Sequence, residues 1–371
     1  MKKVLKYTSV SILIICAMLT IYNIWPWRNT QHIEFEKSNV VAKTAQDNYF
    51  LISENNDLLD FPFIFGGKLF LLSIPDWEKY EIAEHRGFLE GIGDACILGN
   101  KVFWFETWDQ SRSSVMHCTD LGEAAEVSLP EFLYEDYYVF TDQKLYYTRM
   151  DETNEGEEYH LIERDLSIGE ERILVESGKF VALNNEKVYT YNCSTRKLIE
   201  YNLETDTMKH FDLNLGKEDD ITAIEFIDKD SCFIQTAQSG IIQVSLKSNE
   251  IKLIAKNGEM YGGGYFNSSS FISSLHLKNE KLYFFDQQGL IYEYSIETES
   301  VKCIVDSYNM DVLNVSKDMM ELQDVEVHWG EDYILVKTIW KNSYQDKWYA
   351  GLTAYDYNGN VVYEENNDNL I

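Results

Sequence analysis

Apolar and polar residues alternate at a period of two through most of the chain, and the alternating stretches recur. Lys101 opens KVFWFE, Lys144 opens KLYYTR, Lys187 opens KVYTYN and Asp230 opens the related DSCFIQT, each start 43 residues after the last. The phrase returns at Lys281 (KLYFFD) and Asp332 (DYILVKT) after intervals of 51, and an earlier copy begins at Lys68 (KLFLLS), 33 residues before Lys101. A second phrase travels with it: LIERDLSIGEERIL (161–174), LIEYNLETDTMKHF (198–211), IIQVSLKSNEIKLI (241–254), IYEYSIETESVKCI (291–304) and LTAYDYNGNVVYEE (352–365). Each reads as alternation, a short polar turn and renewed alternation, which is a β-hairpin. Ahead of the lysine-led strand runs another apolar segment, such as DYYVFT, KFVAL, ITAIEFI or FISSLHL. Four strands repeated every 40-odd residues make a propeller blade.

The expected fold is therefore all-β: a seven-bladed β-propeller over 47–371, with six or eight blades also open. The predicted blades are 61–83, 92–130, 137–175, 179–213, 220–256, 270–305 and 322–364. The first is short, so DNYFLIS (47–53) should complete either it or the last. Ring closure would leave no long unpaired strand edge.

The blade phrases, K-[LV]-[YF]-[YFW] followed by [IL]-x-x-[YVD]-[DNS]-[LI]-turn over about residues 60–365, resemble the low-density-lipoprotein-receptor-like β-propellers of membrane-anchored bacterial surface proteins. That resemblance implies a fold and a surface location. It implies no activity, and the Y-W-T-D phrase of the receptor propellers is missing here.

The N-terminus bears on the compartment. MKKVLK is followed by a charge-free run from Tyr7 to Trp25. As a helix this reaches about 28 Å, close to the bilayer hydrocarbon core. Three lysines precede it, so the expected arrangement is a transmembrane signal anchor (residues 1–28) with a cytoplasmic N-terminus. Residues 29–46 then form a polar stalk, and the propeller lies outside the cytoplasm. A lipoprotein anchored at Cys16 and a cleaved signal peptide are the alternatives. Ile15 before that cysteine and the lack of a small-x-small site before Trp25 weigh against them.

Composition narrows the partners. Net charge is −30, and beyond residue 28 there are 28 basic against 62 acidic residues. Such a surface repels nucleic acid and anionic lipid. Of six cysteines, Cys96, Cys118, Cys193, Cys232 and Cys303 follow the apolar start, and none forms a C-x-x-C pair. No structural disulfide is expected. G-x-S-x-G, H-E-x-x-H and the Walker loop are absent, and GIGDAC (91–96) opens a strand instead of a helix. The histidines (32, 85, 117, 160, 210, 276, 328) fall at most one to a blade. They read as satisfied or exposed side chains before they read as axial metal ligands.

Most turns are tight, so long insertions between second and third strands stand out. These are TWDQSRSS (107–114), RMDETNEGEEY (149–159) and IWKNSYQDKW (339–348), in blades 2, 3 and 7. In a closed ring of seven these blades are near neighbours, and loops on a rigid scaffold are where binding resides. The candidate contact residues are Trp108, Arg112, Trp340, Tyr344 and Trp348, beside Asp151, Glu152, Glu155, Glu157 and Glu158. Aromatics among charges suit a protein or sugar contact. Simple hairpin extension is the rival explanation. Asp151, Thr153 and Glu155 make a candidate calcium loop, but Ile162 stands where an EF-hand needs its glutamate, so a solvated tip is preferred. No other cofactor is called for. MYGGGYFNSSS (260–270) is expected to be a flexible crossing, and DYNGN (356–360) an Asn-Gly turn with two positive-φ positions. The expected function is a binding or scaffold module for a surface protein or envelope polysaccharide. The alternative is a propeller hydrolase or lyase with an axial site.

Overall fold

The computed structural model describes residues 49–367 apart from 58–63, 89, 109–110, 121–124, 129–131, 134–137, 142, 154–155, 214, 217–218, 269–273, 307–319 and 343–346. The expected anchor, the stalk and Cys16 lie outside the described residues. Among the described residues no helix is long and apolar enough to cross a membrane.

The chain divides into two compact units, Met1–Phe132 and Leu133–Ile371. In the first, Tyr49–Asp57, Ile64–Ser73 and Lys79–Phe88 form a three-stranded antiparallel blade 1. The expected extra strand thus joins the first blade, pairing Tyr49 with Ser73. Blade 2 follows with Glu90–Leu98, Lys101–Trp108, Ser111–Asp120 and Ala125–Ser128. The second unit holds five four-stranded blades with strands in chain order. Blade 3 spans Tyr138 to Val175, blade 4 Lys179 to Asp212, blade 5 Ile221 to Lys256, blade 6 Leu275 to Val305 and blade 7 Met320 to Asn367. Seven blade sheets appear where the period placed them.

Period-two sequence becomes structure through the cores, which lie between successive blades. In blade 4, Val188, Ile199 and Tyr201 pack toward blade 3 with Tyr146, Leu161 and Leu174. Their neighbours Tyr189, Tyr191 and Leu198 pack toward blade 5 with Ile224, Cys232 and Val244. Blade 5 divides likewise, because Phe233 and Ile241 turn to Leu282 and Phe284 of blade 6. Within the first unit, Leu69, Leu71, Ile92 and Trp104 form a comparable core between blades 1 and 2. A strand sandwiched on both faces must be apolar on both, hence the near-continuous runs. The outer strand escapes this demand: Thr207–Asp212 and Ile251–Lys256 are mostly exposed and both carry lysine. Charged outer edges resist strand addition.

The lysine that opens four of the phrases has a structural reason. Its ammonium reaches a carboxylate on the third strand: Lys68–Glu81 at 2.7 Å, Lys144–Glu163 at 2.8 Å, Lys187–Glu200 at 2.9 Å and Lys281–Glu293 at 3.0 Å. Two residues on, a tyrosine hydroxyl donates to the same carboxylate, Tyr189 to Glu200 at 2.9 Å and Tyr283 to Glu293 at 3.2 Å. The K-x-Y phrase is half of a cross-strand rung that satisfies a carboxylate inside the blade.

Polar groups at the far end of the second strand tie the chain crossings. Thr148 accepts from the backbone of Phe180 at 2.8 Å, and Ser274 donates to Gln235 at 3.0 Å. Asp219, 3% exposed, accepts from the backbone of Gln238 at 2.8 Å and from the Ser239 hydroxyl. Residues 260–265, expected as a flexible crossing, form a two-stranded ribbon whose exit residue Phe266 is fully buried against Phe284 and Tyr292. The glycines are there for closeness. A Cβ on Gly264 would lie 2.7 Å from the Tyr292 hydroxyl.

Candidate functional site

The three expected loops are hairpin arms. In blade 3, Lys144–Thr153 pairs with Gly156–Asp165 until Thr153 faces Gly156. In blade 7, Tyr333–Asn342 pairs with Lys347–Asp356 until Asn342 faces Lys347. These strands run ten residues, where the matching strands of blades 4 and 5 run six. In blade 2, Lys101–Trp108 meets Ser111–Asp120, with Trp108 opposite Ser111. Backbone pairing therefore continues past the blade body. Polar and charged residues interrupt the apolar alternation in the arms, which is why they read as loops.

Of the predicted contact residues, Trp108 closes its strand and Arg112 stands second in the next. Trp340 is half-buried and opposite Tyr349, while Trp348 is opposite Lys341. The two tryptophans hold register positions of opposite parity, so the hairpin does not set them side by side. Tyr344 and Glu155 lie outside the described residues.

The blade 3 arm carries opposed acids, with Asp151 facing Glu158 and Glu152 facing Glu157. Asp151 is engaged by Arg149 Nε at 3.5 Å and His160 Nε2 at 3.3 Å. The proposed calcium ligand thus faces two basic side chains, and Thr153 pairs with Gly156 at the tip. At the arm's base Glu171 gathers Arg164 Nη1 at 2.6 Å, the Tyr147 hydroxyl at 2.8 Å and Arg149 Nη1 at 3.5 Å.

Perturbed titratable groups lie elsewhere. Burial pushes the Glu225 carboxyl, on the first strand of blade 5, up to about 7, although it accepts the Leu277 N–H at 3.1 Å. Asp286, 1% exposed, is pushed up to about 6 by burial, against the pull of N–H groups from Leu290 and Gln288 at 2.9 Å each. Burial, and then Lys278, push His276 down to about 4, and its ring stacks on Trp329 at 5.5 Å. Register puts Glu225 opposite Phe233 and His276 opposite Tyr283, equivalent positions in successive blades. Each faces the next blade, so they do not converge. Among the described residues no three His, Cys, Asp or Glu side chains are grouped as metal ligands would be. The sequence did not single out Glu225 or Asp286, because an acid in an apolar strand looks like any other polar position.

No family model matches the sequence, and no curated relative does. Solved structures do match. A periplasmic gluconolactonase from Pseudomonas aeruginosa is similar with a TM-score of 0.52 at 11% identity, over 85% of this chain and 95% of that one. A puromycin-hydrolyzing peptidase from Mycobacterium tuberculosis is similar with a TM-score of 0.51 at 12% identity, over 88% of this chain. This chain spans about half of that peptidase, 54%. The β-propeller domain of the Trilobed protease from Pyrococcus furiosus matches with a TM-score of 0.48 at 11% identity, over 85% of this chain and 93% of that one. At 11–12% identity the likeness to the gluconolactonase and the peptidase is one of architecture, and together with the seven blade sheets it makes this chain an all-β, seven-bladed β-propeller.

Proposed function

We propose that the protein is a binding module: a propeller whose blade 2, 3 and 7 arms engage a surface protein or an envelope polysaccharide. One observation carries this reading. Paired second and third strands run longer in blades 1, 2, 3 and 7 than in blades 4 and 5, and in blades 2 and 7 the ends of those pairs bear Trp108, Arg112, Trp340 and Trp348. Interblade packing does not require them, since blades 4 and 5 manage with six-residue strands. In this reading the run from Tyr7 to Trp25 anchors the chain in a membrane, with the propeller outside the cytoplasm, as in the receptor-like surface propellers its phrases resemble. Crosslinking on intact cells tests the arms. Trp340→Ala with Trp348→Ala should reduce partner adducts at least fivefold while the thermal midpoint stays unchanged. Equal capture by the double variant would remove these arms from the interface.

A second reading is a hydrolase or lyase. Its support lies in the names of similar propellers, a gluconolactonase and a puromycin-hydrolyzing peptidase. Within this chain Glu225 would be the proton-exchanging group, because a carboxyl near 7 suits acid–base work at neutrality. Turnover of a lactone or an aminoacyl amide, abolished by Glu225→Gln, would favour this reading over the first.

A further inference from the structure

The repeated rung has a cationic end on the fourth strand, and in one blade that end is turned away. Arg172 stands opposite Glu163, Lys209 opposite Glu200 and Lys302 opposite Glu293. Arg172 closes on its carboxylate at 3.3 Å and Lys302 at 3.2 Å. Lys209 does not. Its ammonium lies 4.4 Å from the centre of the Phe211 ring, and Glu200 is held by Lys187 and Tyr189 instead.

This departure coincides with a cavity of about 340 Å³ between blades 4 and 5. Lys187, Lys209 and His210 reach it from blade 4, and Lys229 and Lys247 from the turns of blade 5. Against four lysines the lining offers two carboxylates, Glu200 and Asp230, and Glu200 is already engaged by Lys187 at 2.9 Å. Among the described residues no carboxylate lies within ion-pair distance of Lys209, Lys229 or Lys247. On a chain of net charge −30 carboxylates are abundant, yet around this concavity lysines outnumber them two to one. An anion entering the cavity meets four lysines against one carboxylate, Asp230, that no lining lysine already pairs.

We propose that this cavity binds a multiply charged oxyanion of the phosphate class. The volume falls within the range of small-molecule pockets. The cations are lysines, compact point charges of the kind that bind phosphate without fixing a bidentate geometry. The site is remote in sequence from the arms and does not rest on their assignment.

Titration calorimetry on the full chain in detergent tests the site, with inorganic pyrophosphate as probe and chloride at matched ionic strength as background. Saturable binding is expected, weakened at least tenfold by Lys209→Gln with Lys229→Gln. Lys278→Gln, which removes one blade 6 charge lying over the Tyr357 ring, should leave it unchanged. These lysines of the cavity are exposed, so folding should survive their replacement. Absence of saturable heat, or equal weakening by Lys278→Gln, overturns the site. Tighter binding of citrate than of pyrophosphate overturns the phosphate assignment. Parallel titrations with glycerol 3-phosphate and with a glycerol phosphodiester oligomer separate the sources. Preference for the monoester points to a free solute, and preference for the oligomer to a polymer-borne phosphate, each lost in the double variant.

Discussion

At the scale of single residues, the half-buried Glu225 and the buried Glu293 leave opposite marks on stability. Burial raises the Glu225 carboxyl to about 7. The folded chain therefore holds a proton that the unfolded chain releases near 4.5, and stability falls as pH rises between those values. Glu225→Gln keeps an acceptor for the Leu277 N–H and removes the titration. It should flatten the pH profile from about 4.5 to 7 and add on the order of 2 kcal/mol above pH 7, read from urea unfolding. Glu293 behaves the other way. Burial pushes its carboxyl up, but Lys281 and Lys302 outweigh that and hold it below the ordinary range. Its contribution is present above the ordinary carboxylate pKa and is lost as pH falls through the depressed value. Glu293→Gln should cost about 2 kcal/mol at pH 7 and little at pH 2 to 3, by the same measurement. Backbone geometry sets a third expectation. Gly240 has φ +107°, and a Cβ there would lie 2.1 Å from the Ala255 carbonyl oxygen. Gly240→Ala should destabilise by about 3–5 kcal/mol.

Elements show where sequence patterns speak and where they fall silent. Blade strands were legible because both faces are buried, which writes apolar residues into nearly every position from Val188 to Tyr191. The arms were not legible as strands. Met150 to Glu158 is crowded with acids and short of apolar residues, so DETNEGEE reads as a polar tip although the backbone remains paired to Thr153. The 260–265 ribbon was misread for a related reason. Three glycines suggested freedom, whereas Gly262 and Gly264 are small because Cys303 and Tyr292 stand against them. The Asn-Gly turn was half right: Gly359 alone has positive φ, at 87°, and Asp356 accepts the N–H groups of Asn358 and Asn360. This is a three-residue turn with its glycine last. The opposed acids of the blade 3 arm yield a prediction at this scale. Glu158→Lys places a cation across from Asp151 and should raise unfolding free energy by about 0.2–1 kcal/mol, with the gain shrinking in high salt.

For the whole molecule, charge is the property with the longest reach. A net −30 makes the folded chain repel itself at low ionic strength. Raising sodium chloride from about 20 to 300 mM shortens the screening length severalfold and should raise the thermal midpoint by a few degrees. Charge also hid the basic cavity. Lys209, Lys229 and Lys247 are scattered through acidic stretches, and only the packing of blade 4 against blade 5 brings them together. The signal was there in a weak form, since Lys209 stands in register with a glutamate that its counterparts in blades 3 and 6 hold.

Neighbouring positions such as Leu198 and Ile199 serve different seams, one shared with the blade after and one with the blade before. A repeat of this kind is inherited as a joint instead of a part. Copying a blade would succeed only where its leading side accepts the trailing side of its own twin. Drift in one strand is therefore answered across the seam it faces, and the opposite side of the same strand can stay as it was.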